Sequence, residues 1–265
     1  MTSHRVLAVA AHPDDIELMM GGTLLTLGQA GCELHYINLC NGSMGTETET
    51  RERIIARRTE EARHAASLLG ANFHPPLVDD LDLYYDRSVP RRLGALIREV
   101  RPSIMLVQSP QDYMEDHMNA SRIAVTAAFC RGMRNFLTQP PRPPIGDEIT
   151  LYHALPWGLR DPLRRVVRAG QYVDIGSVLD AKRDALAAHK SQKVWLDASQ
   201  GLDSYLTTME ELARRVGRMS GRFEYAEGWR RHLHLGFCAE DADPLTAILG
   251  KTVHVDPEYE RNLEN

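Results

Sequence analysis

The sequence predicts an α/β fold with a doubly wound, mostly parallel sheet flanked by helices and a C-terminal α/β extension. The first observation is a continuous apolar run over residues 6–11, which is typical of a strand buried on both faces of a parallel sheet. The second is that strand and helix patterns alternate after this run. The third is that polar loops follow the apolar runs, as at the carboxyl ends of parallel strands.

The first half of the chain supplies most of the predicted sheet. Asp14 or Asp15 is placed to cap the first helix, and Gly31 stops it. Charge on one side and apolar residues on the other mark the second helix as amphipathic. Strands are predicted over 6–11, 33–39 and 104–107, and helices over 16–30, 52–69 and 90–100.

A segment rich in proline, QPPRPPIGDE at residues 139–148, separates two periodic regions and predicts a loop or boundary. Beyond it the patterns predict segments over 149–153, 172–175, 177–189 and 204–219. We expect these to extend the same sheet. The expected organisation is one domain over 1–265, with a core at about 5–138 and an extension at about 149–265.

Composition indicates which partners to expect. The chain has 31 basic and 36 acidic residues and a net charge of −5, which gives no general attraction to nucleic acid or anionic membranes. No apolar run approaches the roughly 20 residues that span a bilayer. We therefore expect a cytoplasmic enzyme with small-molecule partners. Four scattered cysteines predict reduced thiols, at positions Cys32, Cys40, Cys130 and Cys238.

Three polar loops follow predicted strands and should meet at one edge of the sheet. Their sequences are AHPDD, CNGSMGTE and SPQDYMEDH, and His12, Asn41 and Gln108 mark the points where the strands end. Asn41 is accordingly a candidate for contact with a substrate or with other site residues.

Two of these loops contain the residues of a catalytic metal site. Two imidazoles and one carboxylate, from His12, Asp15 and His117, are a ligand set of catalytic zinc, which lowers the pKa of a bound water to about 7. Asp14 would be the general base beside that water. The alternative is structural, because aspartates in such a loop also cap the following helix and a histidine at a helix start is often capping or exposed.

Several motifs together resemble the PIG-L/LmbE family of zinc-dependent N-acetylglucosaminyl deacetylases. They are AHPDD-x-E followed by GG, LCNGSMGT, RRTEEARHAASLLG, DYMEDH and KRDALAAHKSQ, in the expected order over about residues 6–192. The resemblance implies a Rossmann-like sheet with zinc at its carboxyl rim. It also implies a small-molecule N-acetylated sugar or sugar conjugate as the substrate class.

The resemblance also assigns roles to individual residues. It implies His12, Asp15 and His117 as zinc ligands, with Asp14 as the base. Asp116 would orient metal-bound groups or a histidine by hydrogen bonding. Arg58, with Glu61, matches the family's R-x-x-E pattern and is a candidate for substrate-side or structural pairing. Iron(II) also suits a ligand set of two histidines and one carboxylate, so the native metal is left open between the two.

One position departs from the family pattern. The family commonly has a histidine three residues before the ligand histidine, where this chain has Met114. A thioether cannot donate a proton. Three explanations follow: another donor replaces the histidine (Tyr113, His189 or His153), Asp14 serves as both base and acid, or the site binds without efficient turnover.

Other residues near the C-terminus are weaker candidates for the site. His189 matches the family's H-x-S-Q segment and would reach the sugar or oxyanion, or else it is a helix C-terminal histidine that interacts with the dipole. An alternating pair, His232 and His234, fits one face of a strand. An aromatic and acidic group would line the pocket mouth or pack in the core, namely Tyr225, Glu227 and Trp229.

The function predicted from the sequence is hydrolysis of an N-acetyl group on an amino sugar or sugar conjugate. The alternatives are cleavage of a larger amide conjugate, or a regulatory protein that keeps zinc and binds without turnover. A dinucleotide-dependent oxidoreductase is disfavoured, because no G-x-G-x-x-G follows the first strand. A homo-oligomer is the expected assembly.

Overall fold

One mixed sheet runs through residues 4–193 and 204–263, which are the residues that the computed structural model describes. Eight strands of this sheet lie within those residues, in the spatial order β3-β2-β1-β4-β5-β7-β6-β8. Their bounds are β1 Arg5–Ala10, β2 Glu33–Asn38, β3 Ala71–His74, β4 Ile104–Val107, β5 Thr150–Ala154, β6 Gln171–Asp174, β7 Ala226–Arg231 and β8 Val253–Val255.

The first five strands are parallel. In β1, Val6 pairs with Leu34 of β2 on one side and with Ile104 of β4 on the other, and β3 and β5 continue the parallel pairing outward. The chain adds β2 and β3 on one side of β1 and then β4 and β5 on the other side. In such a sheet, ligands are expected in the crevice at the carboxyl ends of β1 and β4, where the two sets of strands meet. Strands β1, β2 and β4 lie where the sequence predicted them, to within one residue at each end.

The C-terminal strands extend the same sheet in antiparallel fashion. β7 pairs antiparallel with β5 and β6, and β6 pairs antiparallel with β8. This half corresponds to the α/β extension predicted from the sequence, and the α/β fold class is confirmed.

Helices cover both faces of the sheet. Side chains of β1 alternate between two apolar clusters, with Val6 and Ala8 in one and Leu7 and Val9 in the other, which explains its unbroken apolar run. The helix bounds are α1 Asp15–Met19, α2 Gly21–Gln29, α3 Arg51–Leu68, α4 Ser88–Val100, α5 Glu115–Phe129, α6 Leu179–Ala187, α7 Ser204–Ser220, α8 Pro244–Leu249 and α9 Pro257–Asn262. Within the described ranges, no helix combines the length and apolarity needed to cross a bilayer.

The helix predicted over 16–30 was wrong as a single element. It is two helices that meet at Met20, whose φ is −135°. The buried Glu227 carboxylate accepts hydrogen bonds from the Gly22 and Thr23 amides at 2.8 and 2.7 Å, and so satisfies the start of α2. Gly31, with φ at 87°, follows the end of α2 as predicted.

The strand β3 was not predicted. It has only four residues, Ala71–His74, and they are partly exposed. A run this short carries little periodicity, so its pairing with β2 depends on tertiary contacts.

Candidate active site and metal centre

The loops after β1, β2, β3 and β4 meet at one end of the parallel strands. His12 and Asp14 lie in the loop between β1 and α1, Asp15 is the first residue of α1, and His117 lies in the first turn of α5. All four side chains are nearly buried. The convergence expected from the sequence is therefore present.

Three of these residues form a compact ligand set. Ligand atoms of His12, Asp15 and His117 all lie within 4.8 Å of one another. His12 Nδ1 lies 3.5 Å from Asp15 Oδ2, and His117 Nε2 lies 3.5 Å from Asp15 Oδ1. One nitrogen of each imidazole thus faces the same carboxylate, as required for a shared metal ion.

The second nitrogen of each imidazole contacts a different carboxylate. His12 Nε2 lies 3.0 Å from Asp116 Oδ2, and His117 Nδ1 lies 3.0 Å from Asp112 Oδ1. Carboxylates in this position fix the tautomer and ring orientation of metal-binding histidines. Asp116 makes this contact with His12, and its orienting role stays a prediction. Asp112 was not assigned a role from the sequence, and its only signal was its place five residues before His117.

The charges of the site favour a cation. Burial works against charged forms, yet the charge of His117 and hydrogen bonds with His12 hold the pKa of Asp15 well below its usual range. Burial likewise lowers the pKa of His12, but hydrogen bonds with Asp116 and Asp15 outweigh it and raise that pKa well above the usual value. Each imidazole therefore lies in a strongly anionic environment, which a divalent cation would neutralise.

A second combination shares one of these histidines. His12, Cys40 and Asp116 also bring their ligand atoms within 4.8 Å. Burial raises the pKa of the Cys40 thiol to about 11, whereas a metal ligand must be the thiolate. The donor chemistry therefore fits a divalent metal better at His12, Asp15 and His117.

Asp14 has an unusual backbone and close partners. Its φ is 115°, a region that non-glycine residues rarely adopt, and such strain is common at functional sites. Tyr205 donates its hydroxyl hydrogen to Asp14 Oδ2 at 2.7 Å, and Arg58 Nη2 lies 3.8 Å from the same oxygen. Arg58 also donates to the Pro13 carbonyl at 2.6 Å, which holds the strained turn in place.

Burial raises the pKa of Asp14, and the charge of Arg58 and the Tyr205 hydrogen bond oppose that rise. A carboxylate with a raised pKa is a better proton acceptor, as a general base requires. The adjacent Asp15 has the opposite shift, so the two aspartates differ in acidity by their surroundings. This difference suits one carboxylate to metal binding and its neighbour to proton transfer.

A cavity of about 380 Å³ opens over these groups. The polar part of its lining includes His12, Asp14, Asp15, Arg58 and His117. Its remaining walls come from α1, from the loops after β2, β3, β4 and β5, from the segment after α6 and from α7. They include Leu18, Met19, Met44, Leu81, Gln108, Ser109, Tyr113, Met114, Trp157, Gln192, Tyr205 and Thr208.

Several candidates from the sequence lie in this cavity and others do not. Tyr113, Met114 and Arg58 line it, and Tyr113 packs edge-on against the His117 ring. Asn41 does not line it: its amide donates to Asp79 Oδ1 at 2.6 Å and its oxygen accepts from the Ser43 amide. Asn41 therefore supports the loop. Glu61 binds the Ser191 amide and hydroxyl, so it is not a partner of Arg58.

Two candidate proton donors lie outside the cavity. His189 is fully buried with its Nε2 3.3 Å from Glu17 Oε2, beyond the end of α6. His153 Nδ1 donates to the Gln108 carbonyl and contacts Ser121 Oγ, its Nε2 contacts His232 Nδ1, and burial lowers its pKa to about 4. Neither residue is positioned to contact a substrate directly.

The other C-terminal candidates have structural roles. His232 and His234 follow the end of β7 and so do not share a strand face. Trp229 is completely buried and donates to Thr23 Oγ1, and Glu227 is buried against Lys182. Tyr225 packs beside the core away from the cavity. Besides Asp112, the sequence analysis missed Tyr205, which is far from Asp14 in the chain.

Comparisons with known proteins identify the family of the chain. The family model described as PIG-L, GlcNAc-PI de-N-acetylase, matches residues 7–128. A diacetylchitobiose deacetylase of Thermococcus kodakarensis is 31% identical over 85% of this chain and 82% of its own length. A 4-oxalmesaconate hydratase of Pseudomonas putida is 27% identical over 84% of this chain and 86% of its own.

Among solved structures, an N,N'-diacetylchitobiose deacetylase of Pyrococcus horikoshii superposes with a TM-score of 0.73, at 24% identity, over 92% of this chain and 89% of that one. This match shows the shared fold. The extent and identity of the Thermococcus match, together with the family model, show the relationship suggested by the sequence motifs. The chain belongs to the PIG-L family of metal-dependent N-deacetylases.

Proposed function

We propose that the protein hydrolyses the N-acetyl group of an amino sugar or amino-sugar conjugate, with a divalent metal at His12, Asp15 and His117 and with Asp14 as the general base. The observation that carries this proposal is the placement of a strained, buried Asp14 directly beside the ligand set, in one cavity. The relatives named as deacetylases of acetylated sugars support the substrate class.

The ligand set fits a divalent cation because it joins two imidazole nitrogens and a carboxylate whose pKa stays low. When bound there, zinc would act as a Lewis acid toward the acyl carbonyl and lower the pKa of the attacking water. Zinc is the metal that we propose, and iron(II) is the alternative for the same set. Asp116 and Asp112 hold the two imidazoles in orientation.

Asp14 moves the protons of the reaction. Its carboxylate takes a proton from the attacking water and then delivers it to the departing amine, so the base becomes the acid in the second half of the reaction. Tyr205 and Arg58 hold the carboxylate in position by their contacts with Oδ2. This double role removes the need for the histidine that Met114 replaces.

A donor for the acyl oxygen is still needed, and two cavity residues can supply it. Gln108 Oε1 accepts a hydrogen bond from the Ala11 amide at 2.8 Å. The side-chain NH2 group of Gln108 is then the part that can donate to the acyl oxygen. Tyr113 places a phenol beside His117. Loss of one such donor in other hydrolases costs about 100- to 1000-fold in rate, which leaves metal-assisted hydrolysis measurable.

The test is acetate release from N-acetylglucosamine, its glycosides and N,N'-diacetylchitobiose by protein stripped of metal and then reloaded with zinc or iron(II). We expect release that requires metal, and a loss of about 100- to 10,000-fold in kcat for Asp14→Asn. Glu115→Gln, an exposed neighbour of the site segment, is the matched control and should keep full activity.

Two results would contradict the proposal. Metal bound in stoichiometric amount without cleavage of any acetylated sugar would favour the binding protein or a larger amide substrate. Hydration of 4-oxalmesaconate in place of acetate release would assign this chain the activity named for its Pseudomonas relative.

A further inference from the structure

The mouth of the cavity is rimmed by large apolar side chains that are exposed to solvent. Met44, Leu81 and Tyr113 have exposed fractions of 60%, 52% and 63%. They come from three separate loops, which follow β2, β3 and β4. Met114 and Trp157 continue this apolar lining into the cavity. Exposed apolar groups gathered at one opening are typical of a ligand-binding surface.

Leu81 is held at this rim in an unfavourable conformation. Its φ is 64°, in the left-handed region that a non-glycine residue adopts only at a conformational cost. The Leu81 amide donates to Asp116 Oδ2 at 2.8 Å, and the same oxygen contacts His12 Nε2. The Asp116 carboxylate therefore also fixes the turn that presents the leucine to solvent. Glycine or asparagine would fit this backbone with less strain. The leucine side chain therefore has a use that offsets its conformational cost.

The rim is also rigidly built. The buried Asp80 carboxylate accepts from the Gly42 amide at 2.7 Å and the Met44 amide at 3.0 Å, and the Asp80 amide donates to Ser43 Oγ. Two of the rim residues, Met44 and Leu81, are thus attached to one buried cross-link between loops. A preformed apolar surface binds an apolar group at little cost in ordering its own side chains.

We propose that the preferred substrate is an amino sugar whose aglycone is apolar, such as an alkyl or aryl group, and that this group lies against Met44, Leu81 and Tyr113 while the acetamido group reaches the metal centre. The inference rests on the proposed deacetylase function and names its substrate class. A polar aglycone, including a second sugar, would gain less from this rim because it would lose hydration on contact.

The experiment compares three substrates that share the N-acetylglucosamine unit: its methyl glycoside, its octyl glycoside below the micelle-forming concentration, and N,N'-diacetylchitobiose, which carries two such units. We expect the KM of the octyl glycoside to be about tenfold lower than that of the methyl glycoside, with a similar kcat. The reason is that the octyl group binds equally well in the ground state and in the transition state. Equal KM values, or a lower KM for chitobiose than for the octyl glycoside, would overturn the proposal.

Leu81→Asn tests the rim itself, since asparagine tolerates the left-handed backbone and retains the amide that binds Asp116. We expect the octyl-to-methyl ratio of kcat/KM to fall about fivefold. Leu137→Asn, which changes a leucine that is exposed at 67% and lies outside the cavity, should leave the ratio unchanged. An unchanged ratio in Leu81→Asn, or a change only in oligomeric state, would contradict the proposal.

The two proposals fail separately. If none of the three substrates is cleaved, the deacetylase function is wrong, and the dissociation constants of the octyl and methyl glycosides, measured by calorimetry, still test the rim. If all three are cleaved with similar KM values, the deacetylase function stands and the apolar rim has another use.

Discussion

The parallel half of the sheet and its antiparallel extension both bury charged side chains, but they place them differently. In the parallel half, Asp14, Asp15 and His117 lie at the carboxyl ends of strands, beneath a cavity. In the extension, Glu227 lies on a strand and pairs with Lys182, and both are almost fully buried. Position relative to the strand ends therefore separates the charged groups that we propose for catalysis from those that stabilise the packing.

The buried carboxylates of the two halves also differ in whether their partners all lie within the protein or whether they face the cavity. Glu227 accepts from Lys182 at 2.6 Å and from the Gly22 and Thr23 amides, so its charge is fully compensated within the protein. Asp14 and Asp15 line the cavity with their carboxylates. Groups that face a cavity can exchange partners during a reaction, whereas the Glu227 pair cannot without unfolding its surroundings.

The largest expected effect is on stability and comes from the extension. Lys182→Met leaves the Glu227 carboxylate buried without its cation, which should lower the free energy of unfolding by about 3–5 kcal/mol. Denaturant unfolding measures it, with Arg183→Met as the control, because Arg183 pairs with Glu210 at the surface. The metal content of the folded variant should be unchanged, and a loss of metal would place Lys182 in the site.

The next effect is on the metal centre. Asp112→Asn removes the carboxylate that orients His117 and should reduce metal affinity or activity by about 10- to 100-fold with little effect on stability. Metal affinity from competition with a chelator and kcat/KM measure it. Affinity equal to that of the wild type would show that His117 is oriented without Asp112.

A smaller effect is expected at Tyr205, the contact from α7 to the base. Tyr205→Phe removes a hydrogen bond to the Asp14 carboxylate and should lower kcat about tenfold. Because the bond lowers the pKa of Asp14, its loss raises that pKa further. The base is active when deprotonated, so activity is lost as pH falls through this pKa, and the acid limb of the kcat profile should move to higher pH.

The control for Tyr205 is Tyr84→Phe, an exposed tyrosine that does not line the cavity. It should retain the wild-type profile. An acid limb that moves to lower pH in Tyr205→Phe, or does not move, would contradict the hydrogen bond to the base.

The smallest effect is expected at Asn41, which lies at the strand-end rim but outside the cavity. Asn41→Ala removes hydrogen bonds with Asp79 and the Ser43 amide and should lower the free energy of unfolding by about 1 kcal/mol. We expect kcat/KM to stay at the wild-type value. A large fall in kcat/KM at unchanged stability would return Asn41 to the substrate site.

The parallel half was largely predictable from the sequence because its signals are local. The apolar runs of β1, β2 and β4 and the polar residues that follow them appear directly in the chain. His12, Asp14 and Asp15 lie within four residues of one another, and His117 follows another strand. Parallel topology then brings these residues to one edge without further information.

The failures have a common physical cause in long-range contacts. The break at Met20 depends on Glu227, and the Asp14 contact depends on Tyr205, 191 residues away. Trp229 is a pocket candidate from its sequence, but its burial is set by packing against α2. Periodicity and spacing report neighbours along the chain. They therefore could not predict contacts between the first part of the chain and its C-terminal extension.

The most direct test of the proposed metal centre is the location of the metal in crystals grown with zinc, from anomalous diffraction at the zinc edge. We expect one strong peak shared by His12 Nδ1, Asp15 and His117 Nε2, with Asp116 and Asp112 bound to the opposite nitrogens of the two imidazoles. A peak between His12, Cys40 and Asp116, or no peak at this edge of the sheet, would contradict it.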